Sequence, residues 1–387
     1  MRILFVTEDL PARHAGGAAK HAVLLTNTLI EAGHHVELLG RDDVPSDERN
    51  NDFRGTLHRV FNIKRTGWKE ASLGMFNPLR RRHMAARIRA AVLRLPGPWD
   101  VIHYHGHFPE LGASLPAEMN FVQTLHDQGS ECLRMVRFRD GAACEARAPR
   151  ACAVCATPTP NEFQSVVSGL AVEARRAAAR TAYARHRAIF VSEFVERRCR
   201  EILGKPNAFN AHTMHNFIDA RQLAIVAEAI ALIDSERLTQ PRLFMAGRLD
   251  VTKGFAGLLL AMDDDAVRAL DIRVGGLGED FSRLREVHER RGVLFLGWLE
   301  YPDVVREVLA ADGVIVPSIC EEACSTTILD ALALGRVVFA QRRGGTPELA
   351  RYAAAPEQLR LFDTLDELAK ALSALRLPLP RWPLTDG

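Results

Sequence analysis

The sequence of 387 residues lacks both long hydrophobic runs and an export signal. No stretch approaches about 18 uninterrupted apolar residues, the length that a membrane-spanning helix needs. The opening residues MRILFVTEDL contain one basic residue and a short apolar run that is followed at once by acids, which is unlike a signal peptide. These absences predict a cytoplasmic protein without a transmembrane helix.

An excess of positive charge is also missing. Lysine and arginine number 50 against 48 acidic residues, and the formal net charge is +2. A nucleic-acid-binding protein usually has a strongly basic face, so no nucleic-acid partner is expected. The hydrophobic content of 47% is typical of a globular protein, and the length is enough for two hydrophobic cores. We therefore expect two lobes.

Short apolar runs alternate with segments of helical period, the pattern of βα units that form a parallel sheet. Gly16 and Gly17 open a predicted helix that closes at Gly33. A stretch rich in helix and strand breakers at 205–210 divides the chain into predicted domains 1–207 and 208–387. The predicted fold class is α/β, with two doubly wound parallel sheets. The predicted strands are Arg2–Val6, His35–Leu39, Val101–Tyr104, Phe121–Leu125 and Ala188–Val191 in the first domain, then Leu243–Ala246, Ile272–Val274, Val293–Leu296, Gly313–Val316 and Val337–Ala340 in the second.

Two cations follow the first predicted strand of the second domain. Arg248 and Lys253 lie in the segment GRLDVTKG, between a strand and a helix. This segment belongs to the carboxyl edge of a parallel sheet, where α/β folds bind ligands. Arginine binds phosphate oxygens through its planar fork and lysine adds a point charge. The alternative is a tight turn with two solvated charges.

A second polar segment follows the strand Gly313–Val316. Glu322 and Asp330 are separated by seven residues, so both lie near the start of the predicted helix. Between them Ser325, Thr326 and Thr327 offer the free backbone N–H groups of a helix start, which commonly bind anions. Glu321 is a competing acid, but only Glu322 keeps the seven-residue interval. The alternative function of both acids is to stabilise the helix amino terminus.

These segments resemble a family of retaining glycosyltransferases, family four, which has the two-domain GT-B fold of Rossmann-like domains facing a cleft. The resemblance covers nearly the whole chain, and it depends on the order and spacing of several short motifs. They are Gly16-Gly17, Val101-Ile102-His103-Tyr104-His105, Thr124-Leu125-His126-Asp127, Val191-Ser192-Glu193-Phe194, the Arg248/Lys253 loop and the Glu322/Asp330 pair.

The resemblance implies roles for individual residues. Arg248 and Lys253 would neutralise the leaving diphosphate, and Glu322 would bind hydroxyls of the transferred sugar. Asp330 would bind the ribose, although the family usually has glutamate there. His126 would lie over the donor sugar near the reaction centre.

Glycines are also expected at the donor. The resemblance implies that Gly17, preceded by Gly16, lets the first-domain loop approach the phosphates. Gly276 and Gly278 follow a strand and resemble part of a dinucleotide fingerprint, which lacks its third glycine. They would allow the nucleotide to pack closely, and the sequence leaves open whether the base is uracil, guanine or adenine.

The implied activity is transfer of a sugar, with retention, from a UDP-, GDP- or ADP-sugar to a carbohydrate or lipid-linked acceptor, as in polysaccharide or glycoconjugate synthesis. No metal or other cofactor is required for it, because Arg, Lys and helix amides can stabilise the departing phosphate. Two alternatives stay open. One is a nucleotide-sugar epimerase or hydrolase of the same fold, and the other is a non-catalytic nucleotide-sugar-binding protein.

Two further features are ambiguous. A cysteine-containing insertion at about 130–160 holds Cys132, Cys144, Cys152 and Cys155, which suit either a structural zinc site or reduced thiols. The arginine-rich helical segment from Arg80 to Arg94 is compatible with peripheral contact at the inner membrane face, but a solvated helix face is the stronger expectation.

Overall fold

The structure, a computed structural model, describes residues 1–10, 17–45, 52–61, 78–132, 134–155, 159–204, 209–231 and 240–384. The chain divides into two compact units. The first comprises Met1–Arg139 and Cys144–Asn216, and the second comprises Asp140–Ala143 and Phe217–Gly387. Residues 205–208 of the predicted interdomain stretch lie outside the described residues.

The first unit is built on a seven-stranded sheet in the order β3-β2-β1-β4-β5-β8-β9, in which all paired strands are parallel. The direction in which successive strands are added to the sheet reverses between β1 and β4, so the carboxyl ends of these two strands flank a topological switch point. In chain order up to residue 213, the strands are β1 Arg2–Thr7, β2 His35–Arg41, β3 Thr56–Phe61, β4 Val101–His105, β5 Phe121–Leu125, β6 Phe138–Arg139, β7 Ala142–Ala143, β8 Arg187–Phe190 and β9 Ala211–Thr213. The helices in the same part of the chain are α1 Gly17–Glu31, α2 Pro78–Arg94, α3 Pro109–Ser114, α4 Glu162–Arg185 and α5 Glu193–Leu203.

Strand β1 is apolar on both faces because both faces are covered. Successive side chains of a strand point to opposite sides. Ile3 and Phe5 accordingly pack in a core with residues of α1, whereas Leu4 and Val6 pack in another with residues of α2 and α3. The sheet is therefore fixed from both sides, which holds the loops at its carboxyl edge in place.

The second unit is built on a six-stranded parallel sheet in the order β12-β11-β10-β13-β14-β15. Its switch point lies between β10 and β13. The strands are β10 Arg242–Ala246, β11 Asp271–Gly275, β12 Leu294–Gly297, β13 Gly313–Val316, β14 Val337–Gln341 and β15 Leu359–Phe362, and the helices are α6 Ala220–Ala231, α7 Phe255–Ala261, α8 Asp264–Arg268, α9 Phe281–His288, α10 Tyr301–Ala310, α11 Thr326–Ala333 and α12 Leu365–Ser373. One core joins β10 to α7 and α12.

The predicted fold class is confirmed, and all ten predicted strands are present with ends within two residues of those observed. The sequence did not predict the edge strands β3, β9 and β15. In the described part of the chain, no helix is both long and apolar enough to span a membrane.

Candidate active site

The predicted phosphate-binding loop and the predicted acidic loop are neighbours in the second unit. The loop that carries Arg248 and Lys253 follows β10, and the loop that carries Glu322 follows β13. Because β10 and β13 are adjacent parallel strands, both loops lie at the carboxyl edge on either side of the switch point. The topology thus brings together residues that are about seventy positions apart in sequence.

Backbone contacts tie the two loops to each other. The carbonyl oxygen of Thr252 accepts hydrogen bonds from the amides of Ile319 and Cys320 at 3.0 and 3.1 Å. Gly254 has a φ of 72°, and a Cβ there would lie 2.0 Å from the carbonyl oxygen of Pro317. Only glycine allows this approach, so the residue after Lys253 is needed to hold the lysine against the acidic loop.

Lys253 and Glu322 form an ion pair. Lysine Nζ lies 2.6 Å from Oε1 of Glu322, and the side chains are 28% and 12% exposed. The hydroxyl of Ser318 donates to the same oxygen. Oε2 of Glu322 has no hydrogen bond from the described residues, so it offers a carboxylate oxygen to a ligand.

The ion pair determines both pKa values. Burial alone would raise the pKa of Glu322, but the charges of Lys253 and Arg248 and the hydrogen bonds from Lys253 and Ser318 outweigh it, and the pKa lies below its ordinary value. Burial alone would lower the pKa of Lys253, but Glu322 raises it above its ordinary value. Both groups are therefore charged at neutral pH.

Arg248 is the more accessible cation, with its side chain 65% exposed. Its Nε donates to Asp250, whose other carboxylate oxygen accepts the backbone amide of Thr252 at 2.9 Å. The charge of Arg248 lowers the pKa of Glu322 and opposes protonation of Lys253. The guanidinium is therefore within electrostatic range of the Lys253–Glu322 ion pair. Because it is exposed, it can move toward a ligand without leaving a buried site.

Glu321 and Glu322 have different surroundings. The carboxylate of Glu321 accepts the backbone amide of Gly344 at 2.7 Å, whereas the backbone carbonyl of Glu322 accepts the amide of Gly345 at 2.7 Å. Glu321 thus ties the acidic loop to the turn after β14. This contact leaves Glu322 as the acid that pairs with Lys253, in agreement with the seven-residue interval.

Helix α11 starts directly after the acidic loop. Ser325 is its N-cap and makes no side-chain capping hydrogen bond, and Thr326 and Thr327 form its first turn. The first amides of a helix have no partner within it, so this end favours an anion. Asp330 lies one turn further, is buried, and accepts a hydrogen bond from the hydroxyl of Tyr301 at 3.0 Å. Tyr301, Ser318 and Asp250 were not among the predicted site residues.

Gly276 and Gly278 pack against the phosphate-binding loop. A Cβ on Gly276, which has a φ of 126°, would lie 1.9 Å from the carbonyl oxygen of Gly247, and Gly278 lies beside the backbone of Leu249. The amide of Leu249 donates to the carbonyl of Leu277 at 3.0 Å. This backbone contact explains the glycine at 276 without a ligand, and nucleotide binding by these glycines stays a prediction.

His126 lies in the first unit, at the carboxyl edge of its sheet. It lines a pocket with residues at or just after the carboxyl ends of β1, β4 and β5, among them Asp9, His105, His107 and Asp127. Its Nε2 is 2.8 Å from Nδ1 of His105. Burial, then the charge of a neighbouring histidine, lowers the pKa of His126 to about 3. The ring is therefore neutral at neutral pH.

A charged pair faces the same pocket. Nδ1 of His107 lies 3.1 Å from Asp127. Burial alone would lower the pKa of His107, but Asp127, Glu8 and Asp9 raise it to about 10. Burial raises the pKa of Glu8 to about 7, although its carboxylate accepts the hydroxyl of Tyr104. The pocket therefore combines neutral imidazoles with one imidazolium.

The remaining predicted residues of the first unit have less informative positions. Gly16 lies outside the described residues, and Gly17 is the exposed first residue of α1. Burial, followed by the charges of Glu131 and Cys152, raises the pKa of Cys132 to about 11. Burial also raises the pKa of Cys152, to which the charges of Cys155 and Cys144 add. Cys152 is thus within electrostatic range of the other three cysteines, and zinc binding by the four stays a prediction.

The arginine-rich segment forms α2, and its apolar side belongs to the core of the first unit. Met84 and Ile88 are 2% and 0% exposed, and Ala91 and Leu95 pack against the same core. These apolar side chains are therefore not available to a bilayer. The solvated-face alternative fits the helix, and insertion of its apolar side into a membrane does not.

Two parallel α/β units with polar loops at their switch points define the class of protein as one with the two Rossmann-like domains of the GT-B fold. The family model described as Glycosyltransferase Family 4 matches residues 15–222, and the model described as Glycosyl transferases group 1 matches residues 240–376. Because the first covers more than half of the chain, the chain belongs to the glycosyltransferase family that this model describes.

Individual relatives are distant in sequence and similar in fold. An uncharacterized glycosyltransferase of Methanocaldococcus jannaschii is 23% identical over 91% of this chain and 83% of its own length. Sucrose-phosphate synthase from Thermosynechococcus elongatus has a TM-score of 0.65 at 17% identity, over 96% of this chain and 88% of its own. Anabaena HepE in complex with UDP-glucose has a TM-score of 0.59 at 17% identity, over 96% and 88%.

Proposed function

We propose that the protein is a retaining hexosyltransferase that uses a nucleoside diphosphate sugar as its donor. The observation that carries this proposal is the Lys253–Glu322 ion pair at the β10/β13 switch point, with Arg248 in electrostatic range. Two cations suit the diphosphate, and the unbonded Oε2 of Glu322 suits a sugar hydroxyl. Retention rests on the family resemblance.

In the proposed reaction, the bond between the anomeric carbon and the β-phosphate oxygen breaks, and its electron pair goes to that oxygen. The acceptor hydroxyl oxygen forms the new bond on the same face of the sugar, and its proton goes to the departing phosphate. Lys253, Arg248 and the amides at the start of α11 stabilise the charge that develops on the phosphate. Such preorganised groups act without a metal ion.

The donor is a UDP-, GDP- or ADP-sugar in this proposal, and the complex of HepE with UDP-glucose makes UDP-glucose the first choice for a test. Asp330, together with Tyr301, is the proposed ribose-binding group. The acceptor is a carbohydrate or a lipid-linked saccharide, in keeping with a role in polysaccharide or glycoconjugate synthesis. This last element rests on the resemblance.

The test compares binding of UDP, GDP, ADP and the matching monophosphates by thermal shift, since a ligand that binds the folded state raises the melting temperature. We expect one diphosphate to stabilise the protein and its monophosphate to do so much less. The double variant Arg248→Ala/Lys253→Ala should remove the shift, and Lys370→Ala, which changes an exposed lysine of the same unit, should retain it. An unchanged shift in the double variant would refute the site.

Turnover separates transfer from the alternatives. Incubation of the matching nucleotide-sugar without an acceptor should leave it largely intact, whereas an epimerase or a hydrolase would consume it. Product formation with a saccharide acceptor, followed by NMR assignment of the anomeric configuration, tests transfer and retention separately. Inversion in the product would overturn retention and leave transfer standing.

A further inference from the structure

Three histidines of the first unit converge on one point. His21 lies on α1, His105 ends β4, and His126 follows β5. One ring nitrogen from each lies within 4.8 Å of the others. The three residues come from separate elements, so their meeting is a product of the fold and not of local sequence.

The cluster is buried in an apolar wall. His21 and His105 are 7% and 2% exposed, and the ring of Phe5 stacks on His105 with centroids 4.3 Å apart. The Nδ1 atom of His126 is buried and makes no hydrogen bond within the described residues. The other ring nitrogen of His126, Nε2, is the one that faces His105, so Nε2 is placed to share a ligand with Nδ1 of His105.

A second layer of hydrogen bonds orients the cluster. Nε2 of His105 lies 3.1 Å from Nε2 of His103, which lies 2.8 Å from the hydroxyl of Thr124. Metal-binding histidines usually have such a partner on the nitrogen that does not bind the metal. His105 is therefore held with its other nitrogen, Nδ1, toward His126.

We propose that His21, His105 and His126 bind one Zn²⁺ ion, or another divalent transition metal that accepts imidazole ligands. Zinc–nitrogen bonds of about 2.0–2.1 Å in a tetrahedral site place ligand nitrogens about 3.3 Å apart. The three ring nitrogens now lie within 4.8 Å of one another, and side-chain movements of about 1 Å would bring them to this spacing. The contact of 2.8 Å between His105 and His126 opens slightly in the same step.

Three neutral nitrogen ligands leave a fourth coordination position, as in zinc sites that keep an exchangeable water. His105 and His126 also line the pocket at the carboxyl edge of the sheet, so the ion lies at the wall of this pocket. The proposal does not rest on the proposed function, because it concerns binding in the absence of donor and acceptor.

The test must separate this site from the four cysteines. We would therefore use the variant Cys152→Ser/Cys155→Ser as background and titrate it with Co²⁺, whose visible absorption reports tetrahedral coordination. We expect one equivalent to bind without a thiolate charge-transfer band. His21→Gln and His105→Gln in this background should weaken binding at least tenfold, and His83→Gln, which changes an exposed histidine of α2, should not.

Folding of each variant is checked by circular dichroism. If a histidine variant does not fold, zinc X-ray absorption on the folded background variant decides instead. Nitrogen neighbours at about 2.0–2.1 Å support the site, and sulfur neighbours at about 2.3 Å overturn it. Absence of stoichiometric binding, or equal affinity of His21→Gln and the background, also overturns it and identifies the cluster as a hydrogen-bonded histidine network.

Discussion

Replacement of Lys253 by methionine should destabilise the second unit through the carboxylate that it leaves behind. Glu322 is only 12% exposed, and after the change it keeps one hydrogen bond, from Ser318. Removal of one partner of a buried ion pair usually lowers the free energy of unfolding by more than the pair contributes to it, because the remaining charge stays buried and unpaired. The informative quantity is therefore the coupling energy between the two residues.

The structure sets the size of the effect. A hydrogen bond to a charged group contributes about 1.5–3 kcal/mol. Protonation of Glu322 limits the penalty to about 3.5 kcal/mol at pH 7, because pH 7 lies about 2.5 units above the ordinary pKa of 4.5 and each pKa unit is worth about 1.4 kcal/mol. We expect Lys253→Met to lower the free energy of unfolding by about 2–3 kcal/mol. The double variant Lys253→Met/Glu322→Gln should recover about 1–2 kcal/mol of this loss.

The assay is urea unfolding followed by the fluorescence of Trp298 and Trp382, which both belong to the second unit, with Trp68 and Trp99 replaced by phenylalanine. A probe confined to one unit is needed because two-domain proteins often unfold in more than one step. Lys370→Met is the matched control, since Lys370 is exposed and should change stability by no more than about 0.5 kcal/mol.

The coupling energy should depend on pH in a defined direction. The pKa of Glu322 is lowered in the folded state, so its contribution is present above the ordinary value of 4.5 and is lost as pH falls through the folded pKa. The pKa of Lys253 is raised, so its contribution is present below 10.5 and is lost as pH rises through the folded pKa. A coupling energy near zero at pH 7, or one that grows on acidification, would refute this reasoning.

Two other predictions concern the ribose site and the cysteines. Tyr301→Phe should weaken nucleoside diphosphate binding about five- to tenfold in the thermal-shift assay, because it removes one hydrogen bond to Asp330, and an unchanged affinity would exclude this tyrosine from the site. Cys152→Ser/Cys155→Ser should lower the melting temperature of the first unit, because zinc binding by the four cysteines would stabilise the fold. Elemental analysis that finds no zinc in the purified protein would instead support reduced thiols.

The central strands could be predicted from sequence because they are buried on both faces. Strand β13, for example, is a run of four buried residues, GVIV, the apolar pattern expected of a strand that is covered on both faces. The edge strand β3, TLHRVF, mixes polar and apolar residues without regular alternation and pairs with one neighbour only. Strands β9 and β15 are short and lie at the edges as well. Edge strands have a weaker hydrophobic signal for this reason.

The loops of the second unit could be predicted because the chain order of a parallel sheet places each loop at the same edge. The side chains that these loop residues contact could not be predicted from the sequence. Tyr301 reaches Asp330 from the start of α10, and its hydroxyl has no sequence signature. The meeting of His21 with His105 depends on how α1 packs on the sheet. Periodicity does not encode such a contact between distant elements.

The second-unit site is electrically balanced without a donor, and this balance shapes how it can bind one. Lys253 is paired with Glu322 and Arg248 with Asp250, so the diphosphate of the proposed donor must share or replace a carboxylate at each cation. Replacement is easier at Arg248, whose side chain is 65% exposed, than at the half-buried Lys253. In the proposed donor complex, Lys253 would lie between the diphosphate and Glu322 as long as its contact with Glu322 is kept. The buried pair then holds the ammonium in place before the donor arrives, and no reorganisation is needed when charge develops on the departing phosphate.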